Sequence, residues 1–98
     1  MTHSSQPGIE NIIAGRDYEV ALNEMVMEQK QDVAEQIEKR NVPLIEGCMI
    51  ALVELERFRR EVLTGELDPE LSDYARKSLD GNVWVRMDRH RMIREGIL

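Results

Sequence analysis

Apolar residues recur along this chain at intervals of three and four, in long stretches separated by short polar breaks. The most regular stretch is "PLIEGCMIALVELERFRREVLTG". In it Leu44, Cys48, Ala51, Leu55, Phe58 and Val62 keep an unbroken 4-3-4-3-4 spacing, the seam of a helix–helix contact. Ile45, Met49 and Leu52 widen the stripe, and Ile50 and Val53 add apolar surface on the far side. No charged residue lies between Gly47 and Val53. A hairpin partner covers only one face of a helix, so this one requires cover on a second side. It is either the central helix of a bundle or part of an oligomer interface. Pro43 suits its first turn, where a missing N–H costs nothing, and Gly65 suits its end.

The stretch before it, "YEVALNEMVMEQKQDVAEQIEKR", predicts a second long helix capped by Asp17. Tyr18, Leu22, Met25, Val26, Val33 and Ile37 fall on one face, interrupted by Gln29 and Gln36. Asp17, Glu24, Glu28 and Glu35 line up on another, and Glu35 precedes Lys39 in the favourable i,i+4 order. This helix is expected to stop near Asn41. Upstream, "IENIIAG" predicts a short lid helix broken at Gly15, and residues 1–8 predict a flexible tail ending in Pro7–Gly8.

Downstream, Asp68 and Pro69 predict the cap and first position of a short helix that ends at Gly81–Asn82. Leu67, Leu71, either Tyr74 or Ala75, and Leu79 provide its apolar side. The remainder, "VWVRMDRHRMIREG", alternates like a strand at first, yet no other segment supplies a β partner. It is assigned to a further helix over residues 83–95. The expected fold is therefore all-α: a small helical bundle on two long antiparallel helices with short flanking helices, completed by oligomerisation, most simply a dimer. Residues 9–82 form the bundle and residues 83–98 a basic C-terminal segment.

Composition narrows the picture. A 98-residue chain holds one domain with a thin core, which oligomerisation naturally supplements. Six methionines offset an aromatic content of 4 %; they fill irregular gaps in helix packing. The single cysteine, Cys48, excludes an intramolecular disulfide, and its apolar neighbours mark it as a small buried hydrophobe. Its only companions as metal ligands are His3 and His90, too few for a structural zinc site within one chain. Six dispersed glycines build no phosphate-cradling loop. No cofactor, metal or catalytic constellation is expected. The N-terminus lacks the apolar core of a signal peptide, and "CMIALV" is too short to cross a membrane, which makes the cytoplasm the expected compartment.

Charge changes the picture most. Residues 1–75 carry 7 basic and 16 acidic side chains, a balance of −9; residues 76–98 carry 6 and 3, a balance of +3. Three readings account for that segregation. In the first, Trp84, Arg86, Arg89, Arg91 and Arg94 bind an acidic body, the chain's own or a neighbour's, through the planar fork of arginine. In the second, the turn "DGN" joins two helices into a DNA-binding helix-turn-helix whose basic helix enters the major groove. In the third, the segment orders only on a larger protein partner. Separately, Asp17, Glu24, Glu28 and Glu35 form either a solvated helix face or a strip that imitates a nucleic-acid backbone. The function expected from all this is non-enzymatic: a small acidic helical adaptor or regulator acting by protein–protein interaction, such as an inhibitor or accessory protein of phage type. Nucleic acid is the less favoured partner, and a membrane is not expected.

Overall fold

The structure, a computed structural model, describes residues 9–98, with side chains described from residue 15 onward. The tail expected over residues 1–8 lies outside the described residues. Three α-helices follow one another: α1 (Ile9–Lys39), α2 (Val42–Thr64) and α3 (Asp73–Arg94). Among the described residues there is no strand, and the fold is all-α. The thinnest dimension is 18 Å, which is two helix layers.

α1 is longer than expected. It runs through Gly15 without a break, so the lid and the long helix are one, and Asp17 lies inside it rather than capping it. A glycine inside a helix costs about 1 kcal/mol relative to alanine, which is too little to stop one held on both sides. The helix ends where Arg40 turns left-handed, with φ at 56°. Arg40 N–H donates to the Ile37 carbonyl, and Asn41 N–H reaches back to the Gln36 carbonyl. This double bond pattern closes a helix C-terminus. Asn41 then caps α2 by accepting the Leu44 N–H at 3.4 Å, with Pro43 in the first turn. At the far end Gly65 takes φ 74° and donates its N–H to the Glu61 carbonyl. Both ends of α2 match the expectation from sequence.

α3 corrects the reading of the last third. Residues 68–72 are a turn, not the start of a helix. The Asp68 carboxylate accepts the Glu70 N–H at 2.9 Å, and the Asp68 carbonyl accepts the Leu71 N–H. Its side chain thus serves a tight turn, a common use of aspartate. Ser72 is the cap, accepting the Ala75 N–H at 3.1 Å. From there one helix passes through Gly81 and Asn82, so the expected stop, and the separate helix over 83–95, are replaced by a single element. The reason is packing. Val83 is fully buried and Met87 nearly so, on the same side as Leu79 and Ala75. Burying two such side chains contributes roughly 1.5–3 kcal/mol each, more than one glycine costs. The bundle therefore has three long helices instead of two long helices with short flanks.

The core is small and lies at one end of the α1–α2 pair. It joins Ala21, Leu22 and Val26 of α1, Leu55 and Phe58 of α2, Leu71 of the turn, and Val83 and Met87 of α3. Polar contacts flank it and continue along the α1–α2 pair. Arg59 donates to Asn23 at 2.8 Å, Gln29 donates to the Cys48 carbonyl at 3.0 Å, and Lys30 lies 3.9 Å from Glu56.

Candidate functional site

Three features stand out from the packing. The first is a row of ion pairs between α1 and the basic half of α3. Arg86 grips Glu28 with both arms, Nη1 to Oε2 at 2.6 Å and Nη2 to Oε1 at 2.9 Å. One turn on, His90 Nε2 lies 3.1 Å from Glu24 Oε1. That oxygen is shielded from solvent and receives no aligned hydrogen bond, so the contact is one of proximity. Another turn on, Arg94 donates to Asp17 at 3.2 Å. The hydrogen bonds from Arg86 hold the Glu28 carboxyl below its ordinary range, with Arg89 adding a longer-range pull. The same pair raises the Arg86 guanidinium. Beside this row the Tyr18 hydroxyl donates to Asp80 at 2.7 Å, and the Tyr18 ring meets Trp84 edge to face, centroids 6.0 Å apart. Burial, reinforced by the bond to Asp80, pushes the Tyr18 phenol well above its ordinary value.

The second is a polar knot where α2, the turn and α3 meet. Glu61 is buried to 8 % exposure, and its Oε1 accepts both the Asp68 N–H at 2.7 Å and Arg76 Nε at 2.9 Å. Arg76 also donates to the Asp68 carbonyl, and to Asp73 at 3.2 Å. The Glu61 bond raises the Arg76 guanidinium. One carboxylate thus fixes the turn and the start of α3 together.

The third is an open apolar face. On the side of α2 turned away from Leu55 and Phe58, Val42 is 60 % exposed, Met49 51 %, Ile50 62 % and Val53 47 %. Helical spacing places these four on one stripe. Single exposed apolar residues are ordinary, but an apolar stripe on a helix, here interrupted only by Glu46, marks an interaction surface.

The residues singled out from sequence are distributed as follows. Of the expected seam, Leu55 and Phe58 are buried, Ile45, Cys48 and Leu52 are half-buried, and Leu44, Ala51 and Val62 are exposed. Of the basic set, Arg86 and Arg94 hold α1 carboxylates, and Arg91 bonds within its own helix, to Asp88 at 2.7 Å and Glu95 at 2.5 Å. Arg89 is exposed and makes no ion pair among the described residues. Trp84 is half exposed. Of the acidic set, Asp17, Glu24 and Glu28 face α3, and Glu35 pairs with Lys39 at 3.3 Å. Glu61, Arg76, Asn23 and Arg59 were not singled out. The available signal for Arg76 was its place on the line Arg76, Leu79, Val83, Met87, which emerges once the helix is read through Gly81. Glu61 carried no signal, because nothing in "RREVLTG" distinguishes its one buried charge from the exposed ones.

Among the described residues no cluster of three or more His, Cys, Asp or Glu side chains is placed to hold a metal ion. No described helix is long and apolar enough to cross a membrane. Comparison with protein-family models, curated proteins and solved structures returns no match.

Proposed function

We propose that this is a small, acidic, non-enzymatic helical adaptor or regulator that acts by protein–protein interaction, as a self-associating unit. In this reading α1 and α2 form an antiparallel pair whose incomplete cover is supplied by a second copy, most simply in a dimer. The observation that carries it is the open stripe of Val42, Met49, Ile50 and Val53. A core that joins all three helices leaves this face of the most apolar helix wet. The size of the chain points the same way, since thin cores are commonly completed by association.

The nucleic-acid readings gain no support from the geometry. The turn needed for a helix-turn-helix is helical, and Arg86 and Arg94 are engaged by carboxylates of the same chain. The acidic strip that would imitate a phosphate backbone is largely occupied by α3.

The test is the solution mass of the wild-type chain and of Val53→Asp, by sedimentation equilibrium with circular dichroism as the control for folding. The reading expects a concentration-dependent dimer for the wild type. It expects a folded monomer for the variant, because Val53 contributes nothing to the core. A wild-type chain that stays monomeric at every concentration, with Val53→Asp indistinguishable from it, refutes self-association.

A further inference from the structure

We infer that two copies meet through the open face of α2 with their α2 helices antiparallel, the axis of symmetry passing near Val53 and Glu46 set against the partner's Arg60. This rests on the self-association proposed above and adds to it a direction, a register and the charged contacts that select them.

The charges along that face have a definite order. Glu46 stands near the start of α2, the apolar Met49, Ile50 and Val53 in the middle, and Arg60 towards the end. Glu46 and Arg60 are about four helical turns apart, and so on one side of the helix. Of the other charges beside the stripe, Arg57 holds Glu70 at 2.5 Å, Glu56 faces Lys30 at 3.9 Å, and Glu54 lies at the edge beyond Ile50, away from the line of Glu46 and Arg60. Glu46 and Arg60 make no ion pair among the described residues. An unpaired anion and an unpaired cation thus flank an apolar centre, with Val53 midway between them.

A two-fold contact is self-complementary, so each feature must meet its own complement under the symmetry operation. Antiparallel pairing about Val53 satisfies this. Val53 packs on the partner's Val53. Met49 packs over the alkyl stem of the partner's Arg57, as a long charged side chain allows, and Ile50 lies beside the partner's Glu56. The Glu46–Arg60 contact forms twice. Parallel pairing instead sets Glu46 on Glu46 and Arg60 on Arg60, and aligns the helix dipoles unfavourably. Charge order alone therefore selects direction, and the midpoint selects register.

The experiment reverses the charges one at a time. Both residues are exposed, so Glu46→Arg and Arg60→Glu should fold like the wild type by circular dichroism. Each alone should weaken dimerisation at least about tenfold by sedimentation equilibrium at low salt, because each dimer contains the reversed contact twice. An equimolar mixture of the two variants should restore the wild-type dimer as a heterodimer, since both contacts then join opposite charges. The chain carrying both reversals should dimerise with itself. If single reversals dimerise as the wild type does, or mixing restores nothing, the register is wrong. In that case loss of the dimer in Val53→Asp still upholds association through α2. A monomeric wild-type chain overturns both.

Discussion

Replacing Glu61 with alanine should be among the most damaging single changes in this fold, although no sequence feature marks the position. The wild-type carboxylate is almost fully enclosed. Its removal leaves the Asp68 N–H without an acceptor and Arg76 without its buried carboxylate partner. An orphaned buried N–H costs about 1–3 kcal/mol, and loss of a hydrogen bond to a charged group about 1.5–3 kcal/mol. Arg76 retains Asp73 and the Asp68 carbonyl and is 23 % exposed, so water offsets part of its loss. The net expectation is about 2–4 kcal/mol, which in a domain of this size lowers Tm by roughly 10–25 °C. Glu61→Gln keeps the shape and one acceptor oxygen, so it should cost about half as much. The assay is thermal and urea unfolding followed by circular dichroism, on Glu61→Ala, Arg76→Ala and the double variant. Because the two residues act on each other, the double variant should cost less than the two single costs combined, by about 1 kcal/mol or more. Glu61→Ala melting within about 3 °C of wild type would refute the reasoning, since it would mean that water replaces the carboxylate at little cost.

Three further outcomes follow from the same geometry. Glu28 has its folded-state pKa lowered by Arg86 from the ordinary 4.5, so its contribution to stability is complete above about pH 4.5 and is lost as pH falls through the lowered value. Glu28→Gln should flatten that part of an acid-unfolding profile while costing under about 1 kcal/mol at neutral pH, the range of an exposed pair; an unchanged acid limb contradicts it. Leu55→Asp places a charge among Leu22, Phe58 and Val83 and should abolish cooperative unfolding, so a wild-type melting curve would show that the core is assigned wrongly. Gly81→Ala should stabilise the chain by about 0.5–1 kcal/mol, because the helix has open space there, whereas Gly65→Ala should destabilise it by about 1 kcal/mol, because Gly65 is left-handed. Opposite signs in urea titrations test the unbroken α3 directly, since a turn at residues 80–82 would reverse the first.

An element is legible in the sequence where one rule acts without competition. Both ends of α2 were legible, because Asn41 followed by Pro43 and a glycine after Thr64 admit few other uses. Elsewhere two rules compete. At Gly15, and again at Gly81–Asn82, a stop signal opposes the periodicity, and in both places the helix continues. Glycine is a weak stop whenever the apolar line continues past it, and Leu79, Val83 and Met87 continue it. Asp68–Pro69 misled for a related reason. Aspartate caps helices and builds tight turns with the same oxygen, and the carboxylate of Glu61, at the end of the preceding helix, holds Asp68 in the turn. The α2 seam was legible as a pattern but not as a surface. Periodicity shows which residues share a face, and the path of α3 then determines that Leu55 and Phe58 are covered while Leu44, Ala51 and Val62 are not.

What holds α3 in its register is neither charge nor apolar packing alone, because each tolerates a slip that the other forbids. Consider α3 moved one turn towards the end of α1. Arg86 would reach Asp32, His90 would reach Glu28 and Arg94 would reach Glu24, so the charges would remain satisfied. But Arg91 would then occupy the place where Met87 is now 8 % exposed. A charge buried there without a partner costs several kcal/mol. Now consider a slip of one turn the other way. Leu79 and Val83 would fill the places of Val83 and Met87 acceptably, but Asn82 would face Glu28, and the shorter His90 would stand where Arg94 now reaches Asp17. The bidentate Arg86–Glu28 contact would move to Glu24 and the pairing of Arg94 with Asp17 would be lost. The observed register is the one that satisfies both sets of contacts. It also accounts for a basic segment on an acidic chain: two of its four arginines serve to set one helix on another. Arg91 bonds within its own helix, which leaves Arg89 and the open face of α2 as the features that the fold itself does not explain.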